Sequence, residues 1–194
     1  MIKIEEVKKL REETGVSIME CKKALEKSGG DIKQAKKILR EKGEEVAGKR
    51  SGRSTEEGLI TTYVHPNRKI GVILDIRSES DFVAKSDDFK ELAHEICLQI
   101  AALNPSYVME DEIPEEVIKE EKEIAMKQFE GSNKPKEVIE KIIEGKVKKF
   151  KKETVLINQV WVKDGEKKIE DLINEKVAKL GEKIVVNRFK RFEI

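Results

Sequence analysis

Lys69-Ile70-Gly71-Val72-Ile73-Leu74-Asp75-Ile76, then Ser80-Asp81-Phe82-Val83-Ala84-Lys85, then Asp87 through Leu103: these three consecutive stretches decide the fold. The first alternates apolar and other residues as a half-buried strand does. The last sets Phe89, Leu92, Ala93, Ile96, Ile100 and Leu103 at spacings of three and four and ends on Asn104-Pro105, which predicts a helix. The middle stretch is therefore a strand-to-helix turn, and turns run over the surface because their unpaired backbone groups need water. Two placements are open for Phe82. It folds back onto its own helix, the commoner fate of a lone loop aromatic, or it stands out as a probe for a pocket on another molecule.

Upstream, Leu59-Ile60-Thr61-Thr62-Tyr63-Val64-His65 is rich in branched and aromatic residues, and Pro66-Asn67-Arg68 turns it into the first stretch, predicting a β-hairpin. Downstream, Pro114 and Pro135 each open a helix, with Gly131-Ser132-Asn133 as the break between them. Val117, Ile118, Ile124, Ala125 and Phe129 on one helix face Val138, Ile139, Ile142, Ile143, Val147 and Phe150 on the other. That pairing predicts an antiparallel helical hairpin over about 114–151, projecting from the body. Val155-Leu156-Ile157 through Val160-Trp161-Val162 reads as extended, Ile169 to Leu180 as a helix and Ile184 to Phe192 as a last strand.

The first forty residues read as three short helices. Thr14-Gly15 interrupts the first, Ser17 and Glu20 form a capping pair for the second, and Asp31 with Gln34 repeats that pattern for the third. Gly43 is expected to close the third helix. The expected organisation is a three-helix domain over 1–45, a linker over 46–57 and an α+β core over 58–194 with a small antiparallel sheet and packed helices.

Charged residues are 41% of the chain, yet the formal net charge is only +1. Mixed signs along helices, rather than a basic block, argue against direct nucleic-acid binding, and the Lys-rich run Lys146 to Lys152 reads as a solvated helix face. Lys and Glu dominate while Gln, Met and Cys are few, a balance often met in heat-stable proteins. Cys21 and Cys97 lack redox or zinc spacing and are expected to be reduced, partly buried thiols. No run approaches the ~18 apolar residues of a membrane span, so the expectation is a soluble, cytoplasmic protein without membrane association.

Catalytic and metal patterns fail on particular residues. Gly43 to Arg50 imitates a phosphate-cradling loop, but Arg50 stands where a hydroxyl must hold magnesium and a helix precedes it. His94-Glu95 begins a zinc-protease pattern, and Leu98 occupies the second histidine position. With two histidines, no cysteine pair and no nucleophile–base pattern, binding is the expected class, with no cofactor and no metal.

Leu10-Arg11-Glu12-Glu13-Thr14-Gly15-Val16-Ser17-Ile18-Met19-Glu20-Cys21-Lys22-Lys23-Ala24-Leu25 resembles the amino-terminal signature of the bacterial elongation factor Ts family. Glu79 through Lys85 resembles its second signature, Lys134 through Phe150 its helical-hairpin segment, and Arg191-Phe192-Glu193 its carboxyl end. Ser80 departs from the usual threonine, and Asp75-Ile76-Arg77 from a commoner Glu-apolar-Asn. The resemblance implies a guanine-nucleotide exchange factor that binds elongation factor Tu in its GDP form and dislodges magnesium. It implies a ubiquitin-associated (UBA-like) head docking through Arg11, Ile18, Met19 and Lys22. It places Ser80, Asp81, Phe82 and Val83 near the partner's magnesium and His65 at a second contact. The chain has room for one copy of a core that longer members carry twice, which implies a homodimer through the core sheet. The competing reading is a UBA-like adaptor that binds a helical partner without driving exchange.

Overall fold

The computed structural model describes residues 2–129 and 135–194, so the expected break at Gly131-Ser132-Asn133 lies outside the described residues. Three helices come first: α1 (Ile4–Thr14), α2 (Ile18–Lys27) and α3 (Ile32–Arg50). Val7, Leu10, Cys21, Ala24, Leu25, Ala35 and Leu39 close a small core of their own between them. The Ser17 hydroxyl accepts from the Glu20 amide at 3.3 Å, and Asp31 accepts from the Lys33 and Gln34 amides, so the N-cap half of each expected pattern forms without the returning side-chain half. The Glu20 carboxylate turns to Lys42 and Lys23.

The end of the third helix corrects the sequence reading. Gly43 does not stop α3, which continues for seven residues to Arg50. Gly43 is buried against α8 (Ile169–Leu180), where a Cβ would lie 3.4 Å from the Asn174 carbonyl oxygen. The glycine serves close helix approach, and the next turn brings Val46 and Ala47 onto the main core. That packing outweighs the ~1 kcal/mol that a mid-helix glycine costs.

The main sheet orders β1 (Glu57–Val64), β2 (Ile70–Ser78) and β5 (Ile184–Glu193) antiparallel as β1-β2-β5. Val72, Leu74 and Ile76 of β2 turn inward to α5 (Asp87–Leu103), which buries Phe89, Leu92, Ala93, Ile96 and Ile100, while α8 and β5 add Ile169, Leu172, Val177 and Ile184. The short α4 (Asp81–Lys85) fills the turn between β2 and α5. Further along, α6 (Glu115–Lys127) and α7 (Lys136–Thr154) pack on each other. Ala125, Ile143 and Val147 are buried, whereas Ile124 and Val138 of the expected stripe are exposed. The Lys146 amine reaches Gln128 Oε1 and lies 5.5 Å from the Phe129 ring centroid.

Residues 155–162 are a second correction. Val155 is extended and bridges Tyr107, but Leu156–Asn158 forms a 3-10 turn, and the strand is confined to β3 (Val160–Trp161), paired with β4 (Asp164–Lys168). Val155 and Leu156 are both fully buried, and the Leu156 and Ile157 amides donate to the carbonyls of Tyr107 and Val108 across the chain.

Gly58 sits at φ +154° where β1 meets β2, and a Cβ there would lie 2.2 Å from the Ile76 carbonyl oxygen. Gly58→Ala should lower stability by more than ~2 kcal/mol, because backbone on both strands must move. Gly48→Ala, in α3 with open space around it, should raise stability by ~0.5–1 kcal/mol. Urea midpoints of the two variants test this contrast, and equal midpoints would contradict it.

Candidate functional site

The turn carrying Phe82 is a helix of five residues fixed at both ends by serines. Ser80 caps it, its Oγ accepting from the Val83 amide at 3.3 Å. Ser86 donates its hydroxyl to the Val83 carbonyl at 2.7 Å and accepts from the Phe89 amide, closing α4 and opening α5 with one side chain. Val83 is 4% exposed and Ala84 is buried beside it, so the neighbouring position on this short helix faces water. Phe82 is 81% exposed. Of the two placements open to its ring, the structure shows the outward one.

Asp81 and Lys85, one turn apart, pair at 2.6 Å on the solvent side. The Lys85 hydrogen bond, then its charge, holds the Asp81 carboxyl below its ordinary range, so the turn presents an ionised acid beside the ring. Ser80 is itself gripped from far along the chain: its amide donates to Glu182 Oε2 at 2.9 Å and its hydroxyl to Oε1 at 2.6 Å. Sequence reading missed Glu182, since 102 residues separate it from Ser80 and it belongs to no motif.

Arg11, Ile18, Met19 and Lys22 are all exposed on the three-helix head. Cys21, Ala24 and Leu25 turn α2 toward the head's core, which leaves Ile18, Met19 and Lys22 on the water side. His65 ends the hairpin, 3.0 Å from the Tyr63 hydroxyl through Nδ1, and the Tyr63 ring stands edge-on to both His65 and His94. His65 precedes β2 and Phe82 follows it, so the two are separated by about 25 Å of strand and are not brought together within one chain. Val83 is a root of the turn rather than part of its exposed surface.

A third surface is the outer face of the sheet. Ile60, Val64, Ile73 and Phe192 stand exposed there, with Thr62 opposite Ile73 and Gly71 between Val64 and Phe192. At its other end Asp75 is buried under Arg77, Asn187 and Arg188. Asn187 is the extra residue of a bulge opposite Asp75 and Ile76, and its amide donates to Asp75 Oδ2 at 2.9 Å. Hydrogen bonding by Arg77, then by Asn187, holds the Asp75 carboxyl at about 2 against the cost of burial.

Gly43, Gly48 and Lys49 lie inside α3, so the phosphate-loop imitation has no loop. Among the described residues no cluster of three or more His, Cys, Asp or Glu could hold a metal ion, and no helix is long and apolar enough to cross a membrane.

Phe82→Ala should leave thermal stability within ~0.5 kcal/mol of the parent, since the ring touches mostly water. Val83→Ala should cost ~1–3 kcal/mol. Denaturant titration of both variants checks the assignment of ring to surface and root to core.

The family model described as Elongation factor TS matches residues 4–194. Elongation factor Ts of Coprothermobacter proteolyticus is 54% identical over 188 residues, covering 97% of this chain and 95% of that protein. The same protein of Thermodesulfovibrio yellowstonii is 54% identical over 193 residues, covering 100% and 96%. That of Moorella thermoacetica is 48% identical over 194 residues, again covering 100% and 96%.

Proposed function

Because the chain belongs to the elongation factor Ts family of translation elongation factors, we propose that it is a guanine-nucleotide exchange factor for elongation factor Tu in the bacterial cytoplasm. It binds the GDP form, displaces magnesium and promotes GDP release so that GTP can enter. The reaction requires no cofactor, and no bond is made or broken by this chain. The observation that carries the reading is the exposed Phe82 ring on a turn whose neighbours are anchored in the core.

Such a factor acts by linkage. If it prefers a partner conformation whose phosphate loop and magnesium ligands are displaced, it weakens nucleotide by the free energy of that preference, and nucleotide weakens it equally. Burying one Phe contributes ~1.5–3 kcal/mol, about one to two decades in an equilibrium constant. Asp81, ionised beside the ring, adds polar contacts near the cation. Arg11, Ile18, Met19 and Lys22 supply a separate docking patch, and His65 a further contact at the far end of β2. Release of fluorescent GDP from elongation factor Tu tests this. The chain should accelerate release, and Phe82→Ala should reduce the acceleration about ten- to a hundredfold. Unchanged acceleration by that variant contradicts insertion, and tight binding by the parent without any acceleration favours the adaptor reading.

We further propose a homodimer through the outer sheet face. Ile60, Val64, Ile73 and Phe192 form an apolar surface that a second sheet packed ~10 Å away would cover. Ile73→Asp should convert a dimeric sedimentation profile to a monomeric one. A monomeric parent overturns this part of the proposal.

A further inference from the structure

Ser80 and Glu79 exchange hydrogen bonds with Glu182 and Lys183 in a crosswise clasp. The Glu182 carboxylate takes both the amide and the hydroxyl of Ser80, at 2.9 and 2.6 Å. In return Glu79 Oε1 accepts from the Lys183 amide at 2.6 Å and Glu79 Oε2 accepts from Arg53 at 3.0 Å, with Arg50 3.8 Å away. The end of α3 joins the same knot: Arg50 donates to the Gly181 carbonyl, and the Lys183 ammonium donates to the carbonyls of Ser51 and Arg53 at 2.6 and 2.9 Å. The clasp lies directly behind the Phe82 turn and ends the helix that begins in the head. The Lys183 amide, with Arg53 and Arg50, holds the Glu79 carboxyl below its ordinary range despite partial burial.

We propose that Glu182 is a positioning residue for exchange, holding Ser80 so that α4 presents Phe82 in one direction, with Glu79 tying the Glu182 loop to the end of α3. This rests on the exchange reading above. A carboxylate that binds both donors of a single residue fixes that residue's backbone and rotamer together. Ser80 then caps Val83, so its orientation sets the axis of α4 and the direction in which the ring leaves the surface. The hydrophobic root alone, Val83 and Ala84, keeps the turn attached without fixing its angle. A turn free to rock would have to be ordered during docking, and that cost falls on the step in which the ring enters the partner.

The test measures GDP release from elongation factor Tu across factor concentrations, for the parent, Glu182→Gln, Ser80→Ala, the double variant and Ser80→Thr, with melting curves for each. Glu182→Gln and Ser80→Ala should each lower the saturating release rate about tenfold, the effect of losing one charge-assisted hydrogen bond, while the half-saturating concentration moves less than about twofold. The double variant should lose less than the two single losses combined, because both disrupt the bond between the Ser80 hydroxyl and Glu182. Ser80→Thr keeps the hydroxyl and should release GDP faster than Ser80→Ala. Amide hydrogen exchange at Ser80 and Val83 should quicken in Glu182→Gln while that of α5 is unchanged. If the parent accelerates release and folded Glu182→Gln does so equally, or if the two losses add, the positioning role is overturned and the exchange reading survives. If the parent does not accelerate release, both fall.

Discussion

A helix of five residues has no stability of its own, since forming the first turn fixes several dihedral angles for one hydrogen bond. Everything proposed for Phe82 therefore depends on how α4 is held from outside. Val83 and Ala84 bury its inner side, Ser80 and Ser86 satisfy its ends, and Glu182 grips the cap from the loop between α8 and β5. Each leans on the main core, where α5 lies against the inner face of β2 and α8 closes the other side. The apolar ring stays in water because its neighbours on both sides are committed elsewhere.

The charged residues contribute in two different ways. Pairs such as Lys119–Glu115 and Lys49–Glu45 lie one helical turn apart in water, where screening and side-chain entropy leave them little net contribution. Asp88 is different, receiving Lys176 and Lys179 of α8 at 2.9 and 2.6 Å across the gap to α5. Those hydrogen bonds, Lys179 first and then Lys176, keep its carboxyl below the ordinary range. Asp75, under Asn187 and Arg188 of β5, and Glu79, over the Lys183 amide, are likewise held from distant segments. Other long-range pairs tie different parts of the chain, Lys36–Glu13 within the head, Arg40–Asp171 between α3 and α8 and Lys163–Glu95 beside α5.

How far the sequence could be read follows from which physical signals are local. The helix from Asp87 to Leu103 and that from Ile169 to Leu180 were legible to the residue, because apolar spacing and caps both lie within each segment. The alternation of β2 was legible for the same reason. Gly43 was misread because glycine ends helices and also permits close helix approach, and only the position of Asn174 distinguishes the two uses. Leu156 and Ile157 were misread as extended because the 3-10 turn there answers to Tyr107 and Val108, whose carbonyls accept from the Leu156 and Ile157 amides. For the site, the identity of Phe82 was legible and its exposure was not: exposure is decided by Val83 and Ala84 finding the core. Glu182 carried no signal at all, being a surface-type residue in a loop that meets Ser80 only after folding.

On the exchange reading, the separation of the head patch from the Phe82 turn has an energetic consequence. A contact made equally well to the nucleotide-bound and nucleotide-free partner raises affinity for both and shifts nothing between them. Ile18, Met19, Arg11 and Lys22, docking on a surface that nucleotide leaves unchanged, would act in this way: they set the concentration at which the factor is occupied. Only groups that meet different partner geometry in the two states can drive release, and Phe82 with Asp81 is the feature built for that difference. Strengthening the head contacts without limit would slow the cycle, since the factor must leave once GTP has bound. The continuous α3, from the head's core at Ala35 and Leu39 to Arg50 beside the Gly181 carbonyl, is then what makes two independent contacts act on one partner, because it converts the head's grip into a fixed direction for the ring.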